Sequence, residues 1–225
     1  MLAGPLFSRE ALTVPRQLKH FLVRSGYVGA LFVLMYTAAQ TTFGWQQVRN
    51  VGDIARFGKL VFAVFAFVQL TLMIFFSVLF AAGNVSQEKD RRTMLLLLMT
   101  DLRDRELVLG KLCASLLLPA VLLASSIPVL AIIHMLGGVS LEQIGCVIAI
   151  SASAGLVAGA WGSLVAFWRE KTFQTLAISL IGVVIYLGVV EAVAILAGVN
   201  STASFVVGTL NPFRALFREI GRAHV

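Results

Sequence analysis

Five apolar runs, each long enough to cross a bilayer, constrain this chain more than any other feature. They extend from about Phe21 to Phe43, Gly58 to Gly83, Leu107 to Leu136, Ile144 to Trp168 and Leu176 to Val199. A helix that crosses the hydrocarbon core needs about 20 apolar residues. Lipid offers no partner to backbone N–H and C=O groups, so a spanning segment is either a helix or a strand of a closed barrel. The period-two alternation of barrel strands is absent. The expected fold is an all-α, polytopic membrane helical bundle, a single domain over residues 1–225 with five visible spans.

Composition agrees. Hydrophobic residues make up 59% of the chain and charged residues only 13%, where soluble domains carry about 25% charged residues. The net charge of +7 does not describe a nucleic-acid-binding face, because the basic residues sit in the gaps between apolar runs; such placement orients a protein in the membrane. The segment Met1–His20 is polar, and the run after it is too long for the apolar core of a signal peptide. The first run is therefore expected to stay as a span. Cys113 and Cys146 fall near opposite faces of the bilayer in this scheme, too far apart for a disulfide.

The positive-inside rule sets the orientation. Arg9, Arg16, Lys19 and Arg24 precede the first span. Lys89, Arg91, Arg92, Arg103, Arg105 and Lys111 lie between the second and third, and Arg169 and Lys171 between the fourth and fifth. The opposite loops hold fewer, and none lies between Leu136 and Ile144. The N-terminus, loop 84–106 and the Arg169 loop are therefore expected on the cytoplasmic side. Five spans leave the C-terminus outside, where Arg214, Arg218 and Arg222 recur every four residues. That spacing fits an external amphipathic helix; the abrupt end of the chain points instead to truncation before a further span.

Within the spans, Ser151, Gly155, Gly159 and Ser163 form a small-residue stripe, with Ala154, Ala158 and Gly162 beside it. Such a stripe lets helix backbones approach closely, in a subunit contact or inside one bundle. Pro119 and Pro128 predict a bent or broken third helix. Glu191 is the one carboxylate well inside a span, and intramembrane ionisable groups are candidates for a transport pathway. It lies about two turns from the end of its helix, within reach of the interface or of Lys59 or Arg56. Gln69 and Thr71 face either a pathway or neighbouring helices, and His134 is expected to be an interfacial residue with its hydrogen bonds satisfied. No catalytic signature or metal-ligand spacing is present. Gly58-Lys59 and Gly110-Lys111 lack both the following Ser or Thr and the earlier glycine of a phosphate loop.

The stretch QEKDRRTMLLLLMTDLRDRELVLGK, Gln87 to Lys111, holds much of the charge. Asn84 and Gln87 have the spacing of a capping box, and Glu88 is placed to meet Arg91 and Arg92 on one helix face. These features predict a short helix from about Val85 to Met99 lying along the membrane, a break at Thr100-Asp101, and then the third span. A one-signed patch would suit anionic lipid. Mixed charge suits contact with a protein partner or a self-paired solvated connection.

These residues resemble the permease subunits of type-2 ATP-binding-cassette (ABC) transporters. The likeness rests on Glu88, Arg91-Arg92-Thr93, the run Leu95 to Leu98, Glu106 and Gly110-Lys111. GGVS at Gly137 to Ser140 and REKTFQTLA at Arg169 to Ala177 add to it. The resemblance implies a six-span permease of a bacterial inner membrane that pairs with a second permease subunit and binds a separate cytoplasmic ATPase. ATP and Mg would bind in that partner, and this chain would carry no cofactor and no enzyme activity of its own. It also implies that a coupling helix in loop 84–106 sits in the ATPase cleft, with Glu88, Lys89, Asp90, Arg91, Arg92 and Thr93 in contact and Arg105 and Glu106 flanking. The expected function is ATP-driven export. The alternative is a non-transporting membrane scaffold that recruits a cytoplasmic protein through the same loop.

Overall fold

A computed structural model describes residues 18–43, 51–90, 104–169, 171–196 and 209–221. Six helices follow in order: α1 (Leu18–Phe43), α2 (Val51–Asp90), α3 (Asp104–Met135), α4 (Leu141–Trp168), α5 (Thr172–Leu196) and α6 (Pro212–Gly221). The first five are long and apolar enough to cross a membrane, and no strand occurs among the described residues. The chain is a multi-pass helical membrane bundle.

The axis of the bundle is α2, which packs against each of the other helices. Val61, Phe65, Leu70, Val78, Ala82 and Val85 recur at helical spacing along it and are almost wholly buried. Tyr27 and Leu31 of α1, Leu130 and Ile133 of α3, Val147 of α4 and Leu216 of α6 complete the same core. By contrast, α5 turns Ile181, Val184, Ile185, Val189 and Val193 outward. In water such a surface would drive aggregation; in lipid it is the ordinary face of a span.

The second span is longer than its apolar run. At 40 residues α2 measures about 60 Å. The helix predicted to start after Asn84 does not start there. Asn84 lies inside α2, which runs unbroken to Asp90. The reason is tertiary packing, which overrides the weak helix propensity of Gly83 and Asn84: Ala81, Ala82, Val85 and Ser86 are all buried. The rest of that helix, residues 91–99, and the break at Thr100-Asp101 lie outside the described residues.

Two further expectations are narrowed: of a bent or broken third helix the break is excluded, and the capping box lies elsewhere. Pro119 and Pro128 both sit inside α3, which stays a continuous helix from Asp104 to Met135. One turn before Pro119, the Ser115 hydroxyl donates to the Leu112 carbonyl; close before Pro128, Ser125 and Ser126 donate to Leu122 and Leu123. These bonds go to carbonyls of the preceding turn, not to those of Ser115 and Ala124, which lose their backbone donors to Pro119 and Pro128. The capping box expected at Asn84 is found instead at the start of α4. There the Gln143 N–H donates to Ser140 Oγ (3.2 Å) and the Ser140 N–H donates to Gln143 Oε1 (3.0 Å).

Candidate functional site

The two ends of α2 are built differently, and the candidate sites lie at them. Near Asp90, two side chains fasten α2 to the connection between α4 and α5. Lys89 Nζ donates to the carbonyls of Phe167 (2.5 Å) and Arg169 (3.3 Å). These carbonyls belong to the end of α4, where helix geometry leaves acceptors without intrahelical donors and the dipole favours a cation. One residue on, the Thr172 hydroxyl at the start of α5 donates to the Asp90 carboxylate. The Arg169 guanidinium stacks over the Trp168 ring at 5.1 Å, and Trp168 and Phe173 are strongly exposed. Exposed aromatic rings beside Arg169 and Lys171 are what a membrane–water boundary collects.

The residues expected to meet an ATPase thus divide. Lys89 and Asp90 are engaged within the chain. Glu88 belongs to the last turn of α2, and Arg105 and Glu106 to the first turn of α3, described by backbone alone. Arg91, Arg92 and Thr93 lie outside the described residues.

The opposite end is closed by backbone. The α3–α4 turn passes over α2 through Gly137 (φ +89°) and Gly138 (φ +82°). A Cβ at Gly138 would stand 2.5 Å from the Ala55 carbonyl oxygen, and one at Gly58 would stand 2.5 Å from that of Gly137. Gly138 requires glycine both for conformation and for space, Gly137 for conformation and Gly58 for space. His134 is tied in by its Nδ1, 2.8 Å from the Val139 carbonyl.

Beside this end, α6 folds back onto α2 and α4. Phe213, Leu216 and Ile220 face the core, and Phe67 meets the rings of Phe213 (5.1 Å) and Phe217 (6.3 Å). Asn211 caps the helix, its Oδ1 accepting from the Phe213 N–H (3.0 Å), and Pro212 occupies the first helical position. The same Asn211 donates through Nδ2 to Glu191 (2.9 Å). Arg214 completes the cluster with a bidentate pair, Nη2 to Oε1 at 2.6 Å and Nε to Oε2 at 2.8 Å. The expected partners of Glu191, Lys59 and Arg56, are therefore replaced by Arg214 and Asn211. The Glu191 hydrogen bond raises the Arg214 pKa above its ordinary value, against the opposing effect of burial. The legible signal was Asn-Pro followed by Arg at position 214, an N-cap that places a cation one turn into a helix.

The other candidates separate as well. Gln69 is buried beside Tyr27, Met73 and Leu122 and makes no hydrogen bond among the described residues. Thr71, two positions on, is exposed and donates to the Phe67 carbonyl of its own helix (2.9 Å). Two residues along a helix point about 200° apart, so these two do not line one path. The small-residue stripe of α4 faces inward. A Cβ at Gly155 would stand 2.9 Å from Met73 Cε, at Gly159 2.6 Å from Leu116 Cδ2, and at Gly162 2.8 Å from the Val78 carbonyl. Ser151 and Ser163 are buried in the same contact face. The stripe brings α4 against α2 and α3 of the same chain. Cys113 and Cys146 are free thiols.

Residues 27–223 match the family described as ABC-2 family transporter protein. The chain belongs to that family. It is accordingly a membrane permease component of a transport system, and the match covers α2 to α6 in full and α1 from residue 27 onward. No curated protein and no solved structure matches it significantly.

Proposed function

We propose that the chain is the membrane-spanning subunit of an ATP-driven exporter and that a separate ATPase docks at the Asp90 end of the bundle. Family membership over residues 27–223 carries the reading. The geometry supports it through Lys89 and Asp90, which join α2 to the end of α4 and the start of α5. The segment that follows Asp90 carries Arg91, Arg92 and Thr93. A partner pressing on that segment would act on α2, α4 and α5 together rather than on α2 alone. ATP and Mg bind in the partner, a second permease subunit completes the path, and the assembly sits in a bacterial inner membrane with this chain's N-terminus in the cytoplasm. The charge pattern at Glu88, Arg91 and Arg92 supplies partner selection, and Arg105 and Glu106 flank the contact.

The test is co-purification with the ATPase and vanadate-sensitive ATP hydrolysis in proteoliposomes. Glu88→Ala and Arg92→Glu should each lower the stimulated rate by about fivefold or more, as loss of a charged contact at an interface does. Unchanged rates in both variants would overturn the docking assignment.

A further inference from the structure

Gln69 is 1% exposed, and neither its Oε1 nor its Nε2 has a hydrogen-bond partner among the described residues. Along the apolar run Gly58 to Gly83 it stands about 17 Å from one end and about 21 Å from the other. A side chain of this length reaches neither membrane boundary from there. Other polar side chains of the spans solve the same problem on their own helices. The hydroxyls of Thr71, Ser115, Ser126 and Ser179 each donate to a carbonyl three or four residues back. Gln69 does not, and its amide keeps one acceptor oxygen and two N–H donors to satisfy.

The residue lines a small cavity between α1, α2 and α3, walled by Tyr27, Leu72, Met73, Phe76, Leu122 and Leu123. About 10 Å³ is open to the centre of a water molecule, the lower end of what one buried water needs. Tyr27 is the other polar side chain of the lining. It is paired with Ser126, whose own proton goes to the Leu123 carbonyl (2.7 Å). Tyr27 is therefore the donor of that pair, and its oxygen still has lone pairs to offer.

We propose that this cavity binds one water molecule, which joins α1 to α2 in the middle of the bilayer by bonding to the Gln69 amide and donating to the Tyr27 hydroxyl oxygen. The ligand must both donate and accept, and it must fit the volume. Water meets both requirements. A lipid or detergent hydroxyl meets the first and fails the second, because it brings its chain with it. Two protein partners are within the range that holds a buried water, and hydrocarbon on the remaining sides gives an unpaired amide no alternative. The inference rests on the packing of α1, α2 and α3 and is independent of ATP-driven export.

The test has two arms. A crystal structure of the full chain grown from lipid, at a resolution that shows ordered water, should place one water within hydrogen-bond distance of both Gln69 and Tyr27. The second arm is a double-mutant cycle read by unfolding in mixed detergent micelles. Gln69→Leu keeps the bulk and removes the amide, and Tyr27→Phe removes only the hydroxyl. Tyr27→Phe should shift the unfolding equilibrium about fivefold more in the native background than in the Gln69→Leu background. Thr71→Val, two residues away and bonded within its own helix, should be additive with Tyr27→Phe. A cavity without water, a lipid or detergent hydroxyl in its place, or the same cost of Tyr27→Phe in both backgrounds would each overturn the proposal.

Discussion

The two ends of α2 solve the same problem by different physics. At the Gly138 end, helix and turn touch through backbone atoms, and no side chain can be inserted between Gly58 and Gly137 or between Gly138 and Ala55. At the Asp90 end, contact is made by the tip of a lysine and by a threonine–aspartate pair. Steric closure is either intact or broken. Polar links at a boundary can be exchanged for water one at a time, at a net cost of about 1 kcal/mol each. The Asp90 end is thus the one whose outermost links can be exchanged without a steric clash. That is the end at which the proposed partner would act.

Several substitutions would break or sharpen this contrast. Gly138→Ala should have the largest effect. It combines a positive φ with the clash against the Ala55 carbonyl, and should destabilise the bundle by about 2 kcal/mol or more in thermal unfolding in detergent. Gly145→Ala, where a Cβ meets nothing within 4 Å, is the matched control and should be neutral. If both behave alike, closure by shape is not what holds that end.

Detachment of α6 comes next. Glu191→Ala should raise thiol labelling of Leu216→Cys severalfold, because Leu216 is buried only while α6 is seated. Exchanging the charges, Glu191→Arg with Arg214→Glu, should restore protection; failure to restore it would mean that the ion pair does not seat the helix.

Lys89→Met should cost about 1 kcal/mol and speed amide exchange at the α4–α5 connection without touching α6. Exchange that rises at both ends would erase the distinction between them. Ser140→Ala removes the cap of α4 and should cost about 1 kcal/mol, confined to its first turn. Thr172→Val should be milder still, about 0.5 kcal/mol, since its link to Asp90 is exposed. An effect larger than that of Lys89→Met would reverse the ranking of the two links.

The spans were legible because a bilayer imposes a length and a polarity on each, and five runs met both. The stripe on α4 was legible as a close-packing face, since small residues at a spacing of four have few other uses, but its partner was not. Ser151 and Gly155 carry no mark that distinguishes α2 from a second subunit; only the fold places Met73 against them. Asn84 and Ser140 show the limit of local signals. Both stand three residues before a glutamine, and only Ser140 follows residues already turned out of a helix by Gly137 and Gly138. Glu191 stood out in the sequence as an ionisable group inside a span, within reach of the interface or of Lys59 or Arg56. Its partner lay 23 residues on, in a segment whose hydrophobic face is only three residues long and gives no span-like signal.

The length of α2 has a mechanical meaning. Gly58 and Lys89 are about 46 Å apart along one unbroken helix. With the glycine contact as fulcrum, a tilt of only about 5° would carry Lys89 through about 4 Å, farther than a hydrogen bond can stretch. The helix therefore cannot swing while its tip stays tied unless α4 and α5 swing with it. Lys89 and Asp90 thus add a tie at the far tip to the packing that already joins α2 to α4 and α5.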